Sequence, residues 1–306
     1  GMLHLAVVRS QLAHAKIKSI DVSAAKELKG VVAVYVIDDL LKVLSQERVP
    51  ENFPSPGERV DVGPYILARN EVCYVGEPVV AILAENRYIA EDAVLLVEVD
   101  YEPLPTVSDP RSSAQAGAPP VDSRQTDSGN VVHDLTFGHG DVRQAFLDAA
   151  HIVSSEFYQH RGVSNSMECR GSIARYDQVR ETFTMWSSCQ APHSHRSIIV
   201  FLLGLDESQV RVIVPNVGGG FGPKLLFYPE DAIISAAAIL LGRPIKWVED
   251  RREHLVTTTQ ERDQIWEVEM AADNEGKILG LRGKMYHDQG AYTARGFNIP
   301  FSAATT

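Results

Sequence analysis

Four glycines in five positions, Gly218, Gly219, Gly220 and Gly222, are the most informative chemical feature of this 306-residue chain. Glycines lack a Cβ, so several in succession let backbone N–H groups approach a bound anion or oxo group closely. The plain alternative is a tight strand-to-helix turn. Two phosphate-binding patterns are out of register here. The dinucleotide fingerprint needs a further glycine where Pro223 stands, and a Walker-type loop needs Ser or Thr where Leu225 follows Lys224.

Other candidates are weighed in the same way. His193 and His195 stand two apart, which on a helix sends their rings in divergent directions. With no cysteine or carboxylate beside them, they read as solvated or capping residues rather than metal ligands. Cys73, Cys169 and Cys189 are too few and too scattered for a disulfide framework or a four-cysteine zinc site. Cys73, beside Tyr74 in apolar surroundings, reads as an inert buried thiol. Glu168 is a candidate functional carboxylate, or else half of an ion pair with Arg170 or with another chain. Asp250, Arg251, Arg252 and Glu253 read as a charged, partly paired helix start.

The elements that must position these residues follow from apolar periodicity and from turn residues. Strands are expected over 5–8 and 17–22, with Ser23 placed to cap a short helix over 24–28 and Gly30 as its stop. The continuously apolar runs 31–37 and 78–84 predict strands buried on both faces. Asn86 is placed to open a helix, and 95–101 alternates apolar with acidic residues as a half-exposed strand does. Together these imply one α+β unit. From 103 to about 130, Pro103, Pro105, Pro110, Pro119 and Pro120 interrupt any periodic face, which predicts a surface linker. Strands at 150–159, 181–188, 210–214 and 245–248, a helix over 193–203 and a hairpin of 265–271 with 277–287 follow. Residues 227–241 are apolar on nearly every face. They predict a buried helix beneath the glycine loop, stopped by Gly242 and Pro244.

Composition narrows the function classes. A net charge of -11 opposes nucleic-acid binding through a general basic face. Residues 232–241 span about half of the roughly 20 apolar positions a membrane helix needs, and residues 1–10 lack the basic start of a secretory signal. A cytoplasmic globular protein of roughly two domains, without a transmembrane segment, is expected.

Seven stretches then matter in series: Gly1-Met-Leu-His4 with Val8-Arg-Ser10 and Ala13-His-Ala15, Lys29-Gly-Val-Val-Ala-Val34, Val75-Gly-Glu-Pro-Val-Val-Ala-Ile82, Val99-Asp-Tyr-Glu-Pro-Leu104, Gln190-Ala-Pro192, Gly218-Gly-Gly-Phe-Gly222 with Lys224, and Asp288-Gln-Gly-Ala-Tyr292. Their order resembles the large, molybdopterin-binding subunits of the molybdenum hydroxylases. That family includes xanthine dehydrogenases, aldehyde oxidoreductases and aerobic carbon monoxide dehydrogenases. Leu225 stands where xanthine dehydrogenases carry an acidic residue. Lys224–Pro229 and Ile245–Arg251 resemble the carbon monoxide dehydrogenase branch.

The resemblance implies an α/β hammerhead domain over 1–108, a linker over 109–133 and the incomplete first part of a molybdopterin-binding α+β domain over 134–306. It implies that Gln190 donates its amide to the apical oxo ligand of molybdenum. Gly219, Gly220, Phe221 and Gly222 would form the loop whose backbone packs against the metal and its dithiolene. The implied cofactor is molybdenum–molybdopterin in its cytosine dinucleotide form, with 2Fe-2S clusters and FAD on partner subunits. Implied partners are an iron–sulfur subunit, an FAD subunit and the remaining part of the large subunit, in a dimer of heterotrimers acting on a small-molecule substrate. No residue is assigned as catalytic and none as a direct metal ligand, because the family's general-base glutamate is expected outside this chain. The family's large subunits are more than twice as long, so the N-terminal portion of one, inactive alone, is expected. The competing class is a noncatalytic hammerhead-containing binding or assembly module.

Overall fold

The computed structural model describes residues 1–50, 63–124 and 129–293. Its strands are β1 (Leu3–Arg9), β2 (Ala15–Asp21), β3 (Val31–Tyr35), β4 (Glu71–Val72), β5 (Pro78–Ala84), β6 (Glu98–Pro103), β7 (His151–Gln159), β8 (Gly171–Asp177), β9 (Thr182–Ser187), β10 (Val210–Ile213), β11 (Ile245–Val248), β12 (Gln264–Ala272) and β13 (Ile278–His287). Its helices are α1 (Ser23–Glu27), α2 (Ile37–Leu40), α3 (Arg87–Val94), α4 (Pro110–Ser113), α5 (Val142–Leu147), α6 (Pro192–Leu203), α7 (Pro229–Leu241) and α8 (Arg251–Thr257). The fold is α+β, as expected.

One seven-stranded sheet, in the order β10-β9-β8-β11-β1-β5-β3, organises the molecule. β1 pairs in parallel with β11 through Leu3↔Ile245 and His4↔Lys246, and antiparallel with β5 on its other side. Strands from both sides of residue 108 therefore share one sheet. The main apolar core is shared as well, joining Leu3, Leu5 and Leu83 to Phe183, Ile199 and Ile233. Two three-stranded sheets flank it, β13-β12-β7 and β4-β2-β6.

Local patterns explain many elements. Every residue of β5 is buried, matching its unbroken apolar run. Asn86 caps α3 by accepting the Ile89 N–H at 3.0 Å. Gly204 and Gly242 end α6 and α7 in left-handed conformations, where a Cβ would be strained. α7 is buried from Pro229 to Ala238, and it takes Glu230 and Asp231 inside with it.

Other expectations are corrected. Ser23 is not the cap of α1: Val22 holds that position, and the Asp21 carboxylate accepts the Ser23 N–H at 2.8 Å. β3 is not buried on both faces. It lies at the sheet edge with Val32 partly exposed, and Ile37 already begins α2. Residues 95–97 precede β6 rather than belonging to it. The region read as a linker contains α4, and beyond it Asp122 is buried. Sequence periodicity missed β8, whose seven residues bridge β9 and β11.

Candidate cofactor-binding loop

β9 and β10 are parallel neighbours, in register from Phe183↔Val210 to Trp186↔Ile213. Their C-terminal ends therefore emerge side by side, the edge of an open sheet where α/β folds gather ligand-binding loops. β9 delivers Gln190, and β10 delivers the glycine cluster. The structure brings the two together. Gln190 Oε1 accepts the Gly222 N–H at 3.1 Å, and the Gln190 backbone N–H donates to the Lys224 carbonyl at 2.8 Å. With its oxygen committed to Gly222, the Gln190 amide presents its NH₂ group as the free donor, since no acceptor faces it among the described residues.

The glycines are demanded by space as well as by dihedral angle. A Cβ on Gly220 would lie 2.5 Å from Gln190 Cδ, and one on Gly218 would lie 2.6 Å from Glu168 Cβ. Gly219 and Gly222 have φ of 94° and 99°. Phe221 holds φ at 50°, unusual for a residue with a side chain, and its ring is 71% exposed. Among the described residues, no acceptor faces the N–H groups of Gly219, Gly220 and Phe221. Three consecutive donors without a partner among the described residues leave this loop able to receive an anion.

Segment 164–168 holds the loop from the other side. Ser164 Oγ donates to the Phe221 carbonyl at 3.1 Å, and Glu168 Oε2 accepts the Gly218 N–H at 2.7 Å. That segment is itself pinned by α8. Arg251 donates to the Ser166 carbonyl at 2.5 Å, and His254 Nε2 lies 2.8 Å from the Ser164 carbonyl. Glu168 pairs with Lys224 at 2.7 Å rather than with Arg170. Arg170 instead lies at the centre of a buried network. It reaches Glu249 at 2.5 Å and Glu230 at 3.4 Å, and stacks 3.7 Å above the Tyr228 ring. Arg9 of β1 joins Glu230 at 2.7 Å, so the network ties the N-terminal strand to α7. Burial raises the Glu249 carboxyl, but Arg170 and His254 outweigh it and hold the pKa at about 2. Tyr228 closes the support by donating to the Pro223 carbonyl at 2.8 Å, which ties the start of α7 to the loop's exit.

The remaining candidates fall elsewhere. His193 is exposed, but His195 is buried rather than solvated. Its Nδ1 lies 3.1 Å from the Ala191 carbonyl and its ring packs edge-on against Phe227 at 5.3 Å. All three cysteines are free; burial raises the Cys189 thiol to about 11 and that of Cys73 further still. Asp250 caps α8 by accepting the Glu253 N–H at 2.7 Å, the paired helix start expected from the charge pattern. His14, Glu71 and Cys73, and likewise Cys169, Glu249 and His254, lie close enough to share an ion. Both groups are already engaged: Arg170 occupies Glu249, while His14 and Ser123 bond Glu71.

A second buried cluster joins two of the motifs. Glu77 lies wholly inside, accepting the Cys73 N–H at 2.5 Å and the Tyr292 hydroxyl at 2.8 Å. Burial raises its pKa from 4.5 to about 7, against the lowering effect of those bonds. The folded state therefore holds a proton that the unfolded chain releases above about 4.5. The stability this confers is full below that pH and is lost as pH rises through about 7. Thermal midpoints measured from pH 5 to 8 should fall more steeply for the wild type than for Glu77→Gln. Parallel pH profiles would show that Glu77 keeps an ordinary pKa.

Comparison with known proteins decides the family. Residues 124–306 match the molybdopterin cofactor-binding domain, and residues 1–105 match the a/b hammerhead domain of aldehyde oxidase and xanthine dehydrogenase. The chain belongs to the molybdenum hydroxylase large-subunit family. Members of this family are oxidoreductases. The chain is 39% identical over 292 residues to the nicotine 6-hydroxylase large subunit of Paenarthrobacter nicotinovorans, covering 95% of this chain and 35% of that protein. It is 38% identical over 307 residues to the carbon monoxide dehydrogenase large chain of Hydrogenophaga pseudoflava, covering 96% and 37%. Quinoline 2-oxidoreductase from Pseudomonas putida 86 superposes with a TM-score of 0.86 at 32% identity, over 93% of this chain and 36% of that one. This molybdenum hydroxylase chain thus spans little more than a third of the relatives it matches. Among its described residues, no helix is long and apolar enough to cross a membrane.

Proposed function

We infer that this chain forms the N-terminal portion of the molybdenum-cofactor subunit of an oxidoreductase acting on a small molecule. The substrate would be carbon monoxide, an aldehyde or a heterocycle, oxidised with oxygen derived from water. The observation that carries this reading is the meeting of Gln190 with the Gly218–Gly222 loop at one sheet edge, where three backbone N–H groups and one amide NH₂ have no acceptor among the described residues. These groups fit an oxo- and thiolate-rich cofactor, because such a group brings its own sulfur ligands and asks the protein for hydrogen-bond donors and close backbone approach. Bound there, molybdenum–molybdopterin supplies two-electron oxidation chemistry.

The chain's own residues bind and orient. Gly219, Gly220 and Phe221 would offer N–H groups to the bound cofactor, while Gln190, locked by Gly222, would donate an amide hydrogen to it. The cytosine dinucleotide form, an iron–sulfur subunit and an FAD subunit that carry electrons away, and a cytoplasmic dimer of heterotrimers complete the reading. It draws support from relatives named as large chains or complex subunits. Leu225, in place of an acidic side chain, argues against a purine substrate.

Gly220→Ala tests the cradle. Its methyl would strike Gln190, and relieving that contact would shift the loop backbone that carries the N–H donors. The assembled enzyme purified with this change should carry less molybdenum and less pterin per polypeptide than wild type, measured by elemental analysis and by fluorescence of the released pterin. Equal content of both would remove the loop from the site.

A further inference from the structure

We propose that Glu168 is the positioning residue that sets the shape of the glycine cradle, by holding both its ends on one carboxylate oxygen. The proposal rests on the cradle reading above and extends it to a side chain outside the glycine loop. Glu168 Oε2 accepts the Gly218 N–H at the loop's entrance and the Lys224 ammonium at its exit, each at 2.7 Å. The backbone N–H of Glu168 also donates to the Gly218 carbonyl at 3.2 Å. Lys224 passes the constraint on, because its carbonyl accepts the Gln190 N–H, and Gln190 in turn holds Gly222. One carboxylate is thus connected to the entrance, to the exit and, through Lys224, to the backbone of the glutamine that faces the metal.

The charge matters as much as the shape. The Lys224 side chain is fully buried, whereas that of Glu168 is 42% exposed. Burial raises the Glu168 carboxyl, but donation by Lys224 and Gly218 outweighs it and keeps the pKa below the usual carboxylate range. A carboxylate accepting two donors, one of them charged, makes shorter and stronger bonds than a neutral acceptor would. Its counterparts in segment 164–167 grip the structure through backbone carbonyls, single hydroxyls and the neutral Asn165 amide oxygen, with no charged acceptor. Glutamine at 168 would keep the length and an acceptor for Gly218, yet leave a buried ammonium without its counter-charge. Alanine would keep neither contact.

The test uses the assembled enzyme with Glu168→Ala, Glu168→Gln and Gly220→Ala. Three quantities are read: loss of molybdenum and pterin on dialysis, the electron paramagnetic resonance spectrum of the reduced metal, and the thermal midpoint. Glu168→Ala should lose cofactor about 10–100-fold faster than wild type, the range for removing a partner that orients a metal site, and its spectrum should shift. Glu168→Gln should fall between the two. A purely structural role would lower the midpoint and leave the spectrum of the retained metal unchanged, which overturns the proposal. Wild-type retention and spectrum in Glu168→Ala, beside cofactor loss in Gly220→Ala, also overturns it while the cradle stands. Wild-type behaviour in both variants overturns the cradle itself. If the alanine variant does not assemble, Glu168→Gln decides alone: wild-type retention and spectrum there reject the positioning role.

Discussion

Gln190→Ala in the assembled enzyme should slow turnover about 10²–10³-fold, the usual effect of deleting one preorganised donor aimed at developing charge. The Gly222 N–H fixes which end of the amide faces outward, so the wild-type donor needs no reorientation during the reaction. In the proposed reading, contacts to the dithiolene and the phosphate would supply most of the cofactor's affinity, so metal and pterin content should stay close to wild type. kcat, measured alongside molybdenum per polypeptide, checks both halves. Wild-type turnover with wild-type metal content would exclude Gln190 from the reaction.

Arg170→Leu should cost about 3–5 kcal/mol of stability, because it strips the guanidinium from buried Glu249 and leaves buried Glu230 with Arg9 alone. Glu230 and Glu249 have side chains 2% and 0% exposed, so water cannot take over from the guanidinium. Leucine also gives up the stacking over Tyr228, the residue that ties α7 to the loop's exit. The loss should appear as a lowered urea midpoint. Arg175→Ala serves as a control, since Arg175 makes only an exposed 3.9 Å pair with Asp177 and its removal should hardly move that midpoint. Equal shifts in the two variants would mean that the network contributes no more than a surface pair.

The buried network also shows where sequence reasoning lost sight of the site's support. Glu230 and Asp231 sit in a segment read as apolar on nearly every face, and nothing local marks them as buried charges. Their partners come from elsewhere: Glu230 pairs with Arg9 in β1 and with Arg170 just before β8, and Asp231 accepts from Ser172 Oγ at 2.7 Å. Glu168 was weighed against Arg170, two positions away, whereas its true partner Lys224 is 56 positions distant. The motifs that contain Glu77 and Tyr292 likewise give no sign that the two side chains share a hydrogen bond inside the protein.

By itself, the sequence determined the elements whose energetics are local. β5 follows from an unbroken apolar run, α6 and α7 from apolar faces ended by left-handed glycines, and the β12–β13 hairpin from alternation around a turn. Each depends on neighbours a few positions apart, which a single chain read in order displays. The family was also legible, because its motifs stand in a set order along the chain. The tertiary structure alone decided that β1 pairs with β11, that β9 and β10 run parallel as neighbours, and that Glu168 meets Lys224. Those contacts join segments far apart along the chain, and many strands have the apolar faces to accept such a partner. Only the packing of the whole sheet selects among them, and that selection places Gln190 beside Gly222.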